Sequence, residues 1–291
     1  MTRRGIAAVC VNAAMLAAVG MHAQSPTPVR RPFEAATIKL NTRCFDGGLP
    51  PAAALVPGRL TMHCMPLTSA IQSAYVVYKD GVRPVSLGSD VPLEGGPSWL
   101  TSDLYDIDAV AAADTRQEEM RGPMLQTLLE ERLRLKIHFD TREAPVYALT
   151  VAKNGHRLTP FVEGSCVRLD LNAVSAPRQA PVCSFGLRPV PPAFSELVLD
   201  AHDFTLDAFA RQLGINLDRP VVNRTGIEGR FDIHLEFAAD QTTPRLLRPN
   251  TPVSSKASLF QAIQDQIGLR LEATRGPRPV LVIDHVERPA N

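Results

Sequence analysis

Few residues of this chain have types and spacing that could carry chemistry, and the most suggestive pair is His202-Asp203. A metal-dependent hydrolase built on such a pair needs further distant ligands, and none can be assigned. Asp103, Asp106 and Asp108 could bind calcium, but the Asp/Asn-rich loop and closing Glu of a calcium hand are absent. We therefore predict that Asp203 helps to cap the following helix, that His202 is a surface residue, and that the three aspartates form a solvated strand face.

The chain has no familiar catalytic signature: G-x-S-x-G, H-E-x-x-H and a glycine-rich phosphate loop are all missing. Ser184 lies in a proline-rich stretch without an identifiable base. Glu130, Glu131 and Arg132 are typical of a solvated helix face. The sequence therefore predicts no catalytic residue, no metal ligand and no cofactor.

Trp99, in the segment GGPSWL, is the only tryptophan of the chain. An exposed indole could stack on a sugar or a peptide, which makes Trp99 the candidate ligand contact. The alternative is that Trp99 fills the gap between a helix and a strand that begins near residue 105. The sequence leaves both interpretations open.

The N-terminus has the pattern of an export signal over residues 1–23. Arg3 and Arg4 precede an apolar run from Gly5 to Gly20, and a small residue lies at the expected cleavage site before Gln24. The alternative is a membrane anchor, but the run is shorter than the roughly 20 apolar residues that a spanning helix needs. We predict an exported protein, periplasmic or extracellular, with no membrane span after cleavage.

Four cysteines remain after the predicted signal, namely Cys44, Cys64, Cys166 and Cys183. An even number in an exported chain indicates disulfides, although four cysteines allow three connectivities. Proximity favours Cys44–Cys64 and Cys166–Cys183. A zinc site is the rival interpretation, and it is weak because the spacing of paired metal ligands is missing.

Composition is that of a globular protein, with 45% hydrophobic and 21% charged residues. A formal net charge of +1 gives no indication of nucleic-acid binding. The 25 prolines predict long irregular segments between packed elements. We expect the partner to be an envelope protein or a small ligand that the sequence does not identify.

The strongest local pattern covers residues 197–237, where a strand, a helix and a second strand follow one another. The pattern predicts Thr205 as the helix N-cap and Gly214 as the residue at which the helix stops. From Phe231 to Phe237, apolar and polar residues alternate with the period of a half-buried strand.

The chain also contains an internal repeat. Residues 124–151 align with 258–285 at a constant offset of 134 positions, without a gap. Both copies predict a helix followed by two strands that a turn separates. The predicted strand pairs are 134–140 with 145–152, and 269–274 with 279–286.

The repeat predicts an α+β fold of two similar halves, each with the order strand-helix-strand-helix-strand-strand, an antiparallel sheet and helices on one face. The predicted organisation is a signal (1–23), a mobile leader (24–32), a first half (33–155), a proline-rich disulfide connector (156–196) and a second half (197–291) that contains a linker loop (239–257).

Several stretches resemble a known family. They are FEAATIKLN, PGRLTMHCMPLTSAIQSAY, GGPSWLTSDLYDIDAVA, MLQTLLEERLRLKIHFDTREAPVYALTVAKNG, FARQLGINLDRPVVNRTGIEGRFDIHLEF and SLFQAIQDQIGLRLEATRGPRPVLVIDHVERP. They resemble the exported "soil-associated" bacterial proteins, which are built on a domain of unknown function. This resemblance implies no activity, cofactor or catalytic residue. Related domains joined to membrane metallopeptidases imply a sensing or binding role, although this chain has no peptidase segment.

Two helical segments, DFTLDAFARQLG and ASLFQAIQDQIGLRLE, are similar at the fold level to the short α/β modules at the N-termini of secretins and outer-membrane receptors. That likeness implies protein–protein contacts in the periplasm. We expect a non-enzymatic binding or protein-interaction module of the bacterial envelope or exterior. The alternative is a small hydrolase-type enzyme with its site between the two halves.

Overall fold

The computed structural model describes residues 31–44, 56–79, 91–168, 170, 181–191, 195–246 and 254–290. The predicted signal peptide and nearly all of the predicted leader lie outside these residues. The described part is a mixed α+β protein whose strands form four separate small sheets.

The strands, in chain order, are β1 (Ala35–Leu40), β2 (Arg59–Pro66), β3 (Leu93–Gly95), β4 (Leu104–Val110), β5 (Lys136–Val151), β6 (Thr159–Pro160), β7 (Val167–Arg168), β8 (Val182–Cys183), β9 (Phe185–Pro189), β10 (Glu196–Phe204), β11 (Val221–Asn223), β12 (Phe231–Ala238) and β13 (Leu269–His285). The helices are α1 (Leu67–Gln72), α2 (Trp99–Ser102), α3 (Gln117–Glu119), α4 (Leu125–Leu133), α5 (Leu206–Asn216) and α6 (Leu259–Ile267). A π-helical turn extends α1, and another joins α3 to α4.

Two hydrophobic cores hold these elements together. The first contains buried side chains of α1, α4, β2 and β4, and it lies against the sheet with the strand order β1-β4-β2. The second contains buried side chains of α5, α6, β10 and β12, and it lies against the sheet β6-β12-β10-β9. Alternating apolar residues give each strand one face toward its core.

A long two-stranded ribbon connects the two cores. β5 has 16 residues and β13 has 17. They pair antiparallel along nearly their whole length, from Leu269 opposite Val151 to His285 opposite Lys136. One end of the ribbon enters the second core and the other end enters the first.

The ribbon corrects the prediction of two closing strand-turn-strand units. Residues 136–151 form one continuous strand, and so do 269–285, so each strand pairs with the other and not with itself. Pro145 is compatible with this arrangement. The outer partner strand of β5 begins to pair only at Tyr147, and proline is tolerated where a strand edge needs no donor.

The prediction of an antiparallel sheet in each half holds only in part. The sheets β1-β4-β2 and β6-β12-β10-β9 are antiparallel. In the ribbon sheet, however, β3 and β11 pair with β13 and β5 in parallel. β7 and β8 form a small parallel pair.

The structure confirms the predicted start of the helix α5 but not its predicted end. The Thr205 side chain accepts a hydrogen bond from Ala208 N, as predicted for the cap of α5. Ser258 caps α6 in the same way through Gln261 N. The predicted stop at Gly214 is wrong, because α5 continues to Asn216 with Gly214 buried inside it.

No helix in the described ranges is both long and apolar enough to cross a membrane.

Candidate functional site

The candidate pair His202-Asp203 makes its polar contacts with other side chains of the protein. His202 Nδ1 lies 3.4 Å from Asp232 Oδ1. The Asp203 carboxylate is buried and accepts hydrogen bonds from Arg168 Nε at 2.5 Å and from Arg230 Nε. Two guanidinium groups therefore occupy the oxygens that a metal would need. Within the described ranges, no three His, Cys, Asp or Glu side chains are placed to hold a metal ion.

The expected capping role of Asp203 is wrong, because Thr205 caps the helix through its own side chain. Asp203 instead has a left-handed backbone with φ of 65°. Burial acts to raise the pKa of Asp203, but hydrogen bonds from Arg168 and Arg230 outweigh this effect and lower it. Asp203 is thus a buried, ionised anchor for two arginines.

Two of the three candidate calcium ligands, Asp103 and Asp106, bind different partners. Asp106 accepts hydrogen bonds from Cys64 N and from Asn41 Nδ2, both at 2.9 Å. Asp103 binds Arg288 Nη1 at 2.8 Å. This arrangement stabilises the strand β4 and its neighbours and does not converge on an ion.

Both predicted disulfides are present. The Cα atoms of Cys44 and Cys64 are 5.4 Å apart, and those of Cys166 and Cys183 are 5.0 Å apart. The pairing of near neighbours in sequence is confirmed. Disulfides are consistent with an oxidising compartment. Ser184, next to the second bridge, accepts a hydrogen bond from His202 N through its backbone carbonyl.

Trp99 is half-buried and has charged and aromatic neighbours. Its ring makes an edge contact with Tyr105, with the ring centres 6.4 Å apart. The guanidinium of Arg288 lies 4.9 Å from the centre of the Trp99 ring. Asp103 holds that guanidinium by an ion pair of 2.8 Å. Arg288 therefore separates this indole face from the surface groove beside it.

That surface groove, which we call the β1 groove, runs along the outer edge of β1 and has a volume of about 810 Å³. In the described part of the chain, β1 is an edge strand of its sheet, with β4 on one side only. The groove is lined by Ala36, Thr37, Ile38, Lys39, Leu40, Glu131, Arg132, Arg134, Glu287, Arg288, Pro289 and Ala290.

The C-terminal segment forms the far wall of the groove. Glu287 N donates a hydrogen bond of 2.7 Å to Leu133 O at the end of α4. Arg132 Nη2 donates to Ala36 O at 3.5 Å, so at least one outward carbonyl of β1 is accessible to a donor. Leu40, half exposed at 50%, offers an apolar contact in the groove.

Sequence reasoning missed this groove. It assigned Arg132 to a solvated helix face, and it did not relate residues 287–290 to the first strand. One signal was available in the sequence: β1 contains Lys39, and lysine is a residue that edge strands commonly carry.

A second, smaller pocket lies between the two cores, and we call it the inter-core pocket. Its volume is about 240 Å³. It is lined by Gln72, Val91, Pro92, Gly214, Leu217, Asp218, Arg219, Pro220, Arg245 and Arg278. A hydrogen bond from Arg219 lowers the pKa of Asp218 and keeps it ionised. Among the residues that the structure describes, this lining includes no serine, cysteine or histidine.

Comparisons with known proteins give one match. A family model described as "Protein of unknown function (DUF3738)" matches residues 69–286. No curated protein and no solved structure gives a significant match to the chain.

Proposed function

The chain belongs to the DUF3738 family of proteins of unknown function, and from that premise we propose that it is an exported binding module. Its partner is a protein that presents an extended, acidic segment, and this segment adds to the free edge of β1. The observation that carries the proposal is an edge of β1 that no described strand pairs with, together with the groove of about 810 Å³ alongside it. No chemistry on the bound segment is required.

Strand addition needs backbone groups that face outward. Asn41 N donates to Leu104 O in β4. Asn41 therefore directs its amide toward β4. Because alternate residues of a strand direct their backbone groups to opposite edges, the amides of Ile38 and Leu40 point away from β4 and toward the groove. An unpaired edge of this kind is a template for an incoming strand.

The charge of the groove argues for an acidic segment. Its lining includes the cations Lys39, Arg132, Arg134 and Arg288 and the anions Glu131 and Glu287. Complementary charge at the rim raises the association rate and selects against basic partners. The aliphatic surface around Leu40 gives the segment an apolar position beside the acidic ones.

Trp99 is the ligand contact in this proposal, and it acts through Arg288. The guanidinium covers Trp99 on one side and lines the groove on the other. A carboxylate in the groove competes with Asp103 for Arg288. Binding therefore changes the surroundings of the indole.

The predicted export signal and the two disulfides support a partner in the envelope or outside the cell. Within that setting the sequence likeness to periplasmic interaction modules agrees with a protein partner.

We further propose that the chain consists of two similar halves. β3 pairs with Leu281–Ile283, and β11 pairs with Tyr147–Leu149, at positions that the offset of 134 relates. Cys64 N donates to Asp106, and Asp203 N donates to Asp232. Cys64 and Asp203 also share a positive φ, of 53° and 65°. An experimental structure in which 60–152 and 199–286 fail to superpose would contradict this proposal.

The first test uses a synthetic peptide of alternating glutamate and valine and follows amide hydrogen exchange. We expect the peptide to slow exchange at Ile38 and Leu40 and to leave the free edge of β9 unchanged. A peptide N-methylated at every residue has no backbone N–H to donate from either edge, and it serves as control. Equal protection of β9, or protection by the N-methylated peptide, would exclude strand addition at β1.

The second test replaces Lys39 and Arg134 with glutamate and compares the acidic peptide with an alternating lysine–valine peptide. We expect this variant to bind the lysine–valine peptide more tightly than the acidic peptide, which is the reverse of the order expected for wild type. Deleting residues 24–30 tests whether the chain's own leader competes for the groove: tighter peptide binding after deletion identifies the leader as the natural occupant and overturns the proposed partner. Turnover of ester, phosphate, glycoside or peptide substrates, lost on changing Arg278 or Asp218, would favour the hydrolase instead.

A further inference from the structure

Arg134 ends the helix α4 in a backbone conformation that arginine rarely adopts. Its φ is 52° and its ψ is 29°, which is the left-handed region. Steric crowding of the Cβ atom disfavours this region for residues other than glycine, and asparagine, aspartate and histidine are the commonest exceptions. The fold therefore holds Arg134 in this conformation at a cost in stability.

The internal repeat contains the same helix end without the strain. Gly268 aligns with Arg134 at the offset of 134, and it ends α6 with φ of 68° and ψ of 25°. Glycine has no Cβ atom and adopts this conformation freely. The two helix ends thus share one backbone conformation, and the arginine has no local conformational advantage over the glycine.

The chain around the end of α6 leaves no space for a side chain. The turn after β5 crosses this helix end, and Arg157 N donates a hydrogen bond of 2.8 Å to Ile267 O. A Cβ atom on Gly268 would overlap the backbone of Gly155 and His156. In this copy of the repeat, only glycine fits.

The end of α4 is crossed in a similar way, but here a side chain fits. The C-terminal segment passes this helix end, where Glu287 N donates to Leu133 O at 2.7 Å. Arg134, the next residue along the chain, lines the β1 groove together with Lys39 and Leu40 of β1. The strained residue is therefore one that the proposed binding site uses.

We propose that Arg134 determines the specificity of the β1 groove for acidic segments, and that the chain retains the strained backbone for this purpose. The guanidinium binds a carboxylate of the added strand through two parallel hydrogen bonds. This inference rests on the proposed function, and it names the residue that selects the charge of the segment. Strained residues of this kind occur at binding sites where the surrounding structure enforces the conformation.

The test measures peptide affinity by calorimetry and the midpoint of thermal unfolding, both with residues 24–291. Arg134→Gly relieves the strain and removes the guanidinium. We expect this variant to bind the glutamate–valine peptide about tenfold more weakly than wild type does, because charge-assisted hydrogen bonds are lost. Its affinity for a neutral serine–valine peptide should not change. Its midpoint should rise by about 2 °C, whereas loss of a purely structural residue would lower the midpoint.

Three further variants separate charge, geometry and strain. Arg134→Asn also removes the guanidinium but tolerates the left-handed backbone, so we expect it to bind as weakly as Arg134→Gly. Arg134→Lys keeps the charge without the planar fork, and it should recover only part of the affinity. Arg211→Gln, at an exposed position of α5, is the control for a general charge effect and should bind as wild type does. Circular dichroism checks that each variant is folded.

Different outcomes overturn this inference and the proposed function. If wild type binds the acidic peptide and Arg134→Gly binds it equally well, Arg134 does not determine specificity, and strand addition at β1 stands. Equal weakening by Arg211→Gln would show a general charge effect and would also exclude this role of Arg134. A lower midpoint of Arg134→Gly would contradict the cost in stability. If wild type binds neither the acidic nor the neutral peptide, the proposed function fails and this inference fails with it.

Discussion

Arg168 Nε donates a hydrogen bond of 2.5 Å to Asp203 Oδ2, across 35 positions of sequence. Arg168 follows Cys166 by two residues, so an ion pair and a disulfide together attach this segment to the second core. Arg230 approaches the same carboxylate from the other side. The buried carboxylate of Asp203, in β10, thus binds β7 through Arg168 and the start of β12 through Arg230.

We expect Asp203→Asn to lower the free energy of unfolding by about 2 kcal/mol, because two charge-assisted hydrogen bonds lose their anion. Asparagine tolerates the left-handed backbone at this position nearly as well as aspartate. Asp203→Ala should cost more, since alanine adds backbone strain at φ of 65°. Urea unfolding measures both. Equal stability of wild type and Asp203→Asn would contradict this role of Asp203.

The Asp203 contribution should depend on pH in a defined direction. The pKa of Asp203 is lowered in the folded protein, so its carboxylate stabilises the fold above the unfolded-state pKa of about 4. This stabilisation is lost as the pH falls below about 4 through the folded-state pKa. The stability difference between wild type and Asp203→Asn should be constant near neutral pH and should shrink under acid. A stability difference that grows under acid would contradict a lowered pKa of Asp203 in the folded protein.

Reduction of either disulfide should destabilise the protein. Each bridge closes a loop of similar length, with separations of 20 and 17 residues. A loop of this size corresponds to about 3 kcal/mol. We expect each of the double substitutions Cys44→Ser/Cys64→Ser and Cys166→Ser/Cys183→Ser to lower the free energy of unfolding by about 3 kcal/mol. Urea unfolding measures this change. Wild-type protein in reductant should lose as much free energy of unfolding as the two double substitutions lose together.

Gly122 tests the packing of the helical kink between α3 and α4. Its backbone is non-helical, with φ of −109° and ψ of −106°. A Cβ at this position would lie 1.9 Å from Tyr78 O. We expect Gly122→Ala to destabilise by about 3 kcal/mol or more, because backbone must move. Gly186→Ala is the control, since its Cβ meets nothing closer than 3.9 Å, and it should change stability by about 0.5 kcal/mol at most.

The single tryptophan should report on the β1 groove. Removing the guanidinium in Arg288→Ala exposes the Trp99 ring to water, so we expect a red shift of its emission. The acidic peptide should change emission in wild type but not in Arg288→Ala. Arg211→Ala is the control and should behave as wild type. If the emission spectrum of wild type does not change when the protein is saturated with peptide, Trp99 is not a contact of the peptide site.

The sequence by itself determined the features that depend on near neighbours. The caps at Thr205 and Ser258 follow from a side chain reaching an amide three residues away. Short separations favoured the observed disulfide pairs without excluding the other two connectivities, and the alternation in β12 follows from a strand with one buried face. Gly268, which ends α6 with φ of 68°, is another local signal.

Tertiary structure decided the features that depend on distant partners. A sequence of alternating apolar residues with a proline fits either a hairpin or one long strand. The long paired strands of the ribbon form because their two ends are buried in different cores. Asp203 has partners 35 and 27 positions away, which no local pattern reveals. The β1 groove exists because residues after β13 dock against α4, and the inter-core pocket because three separated arginines meet. Burial and pairing across the whole chain select among structures that the local pattern leaves equivalent.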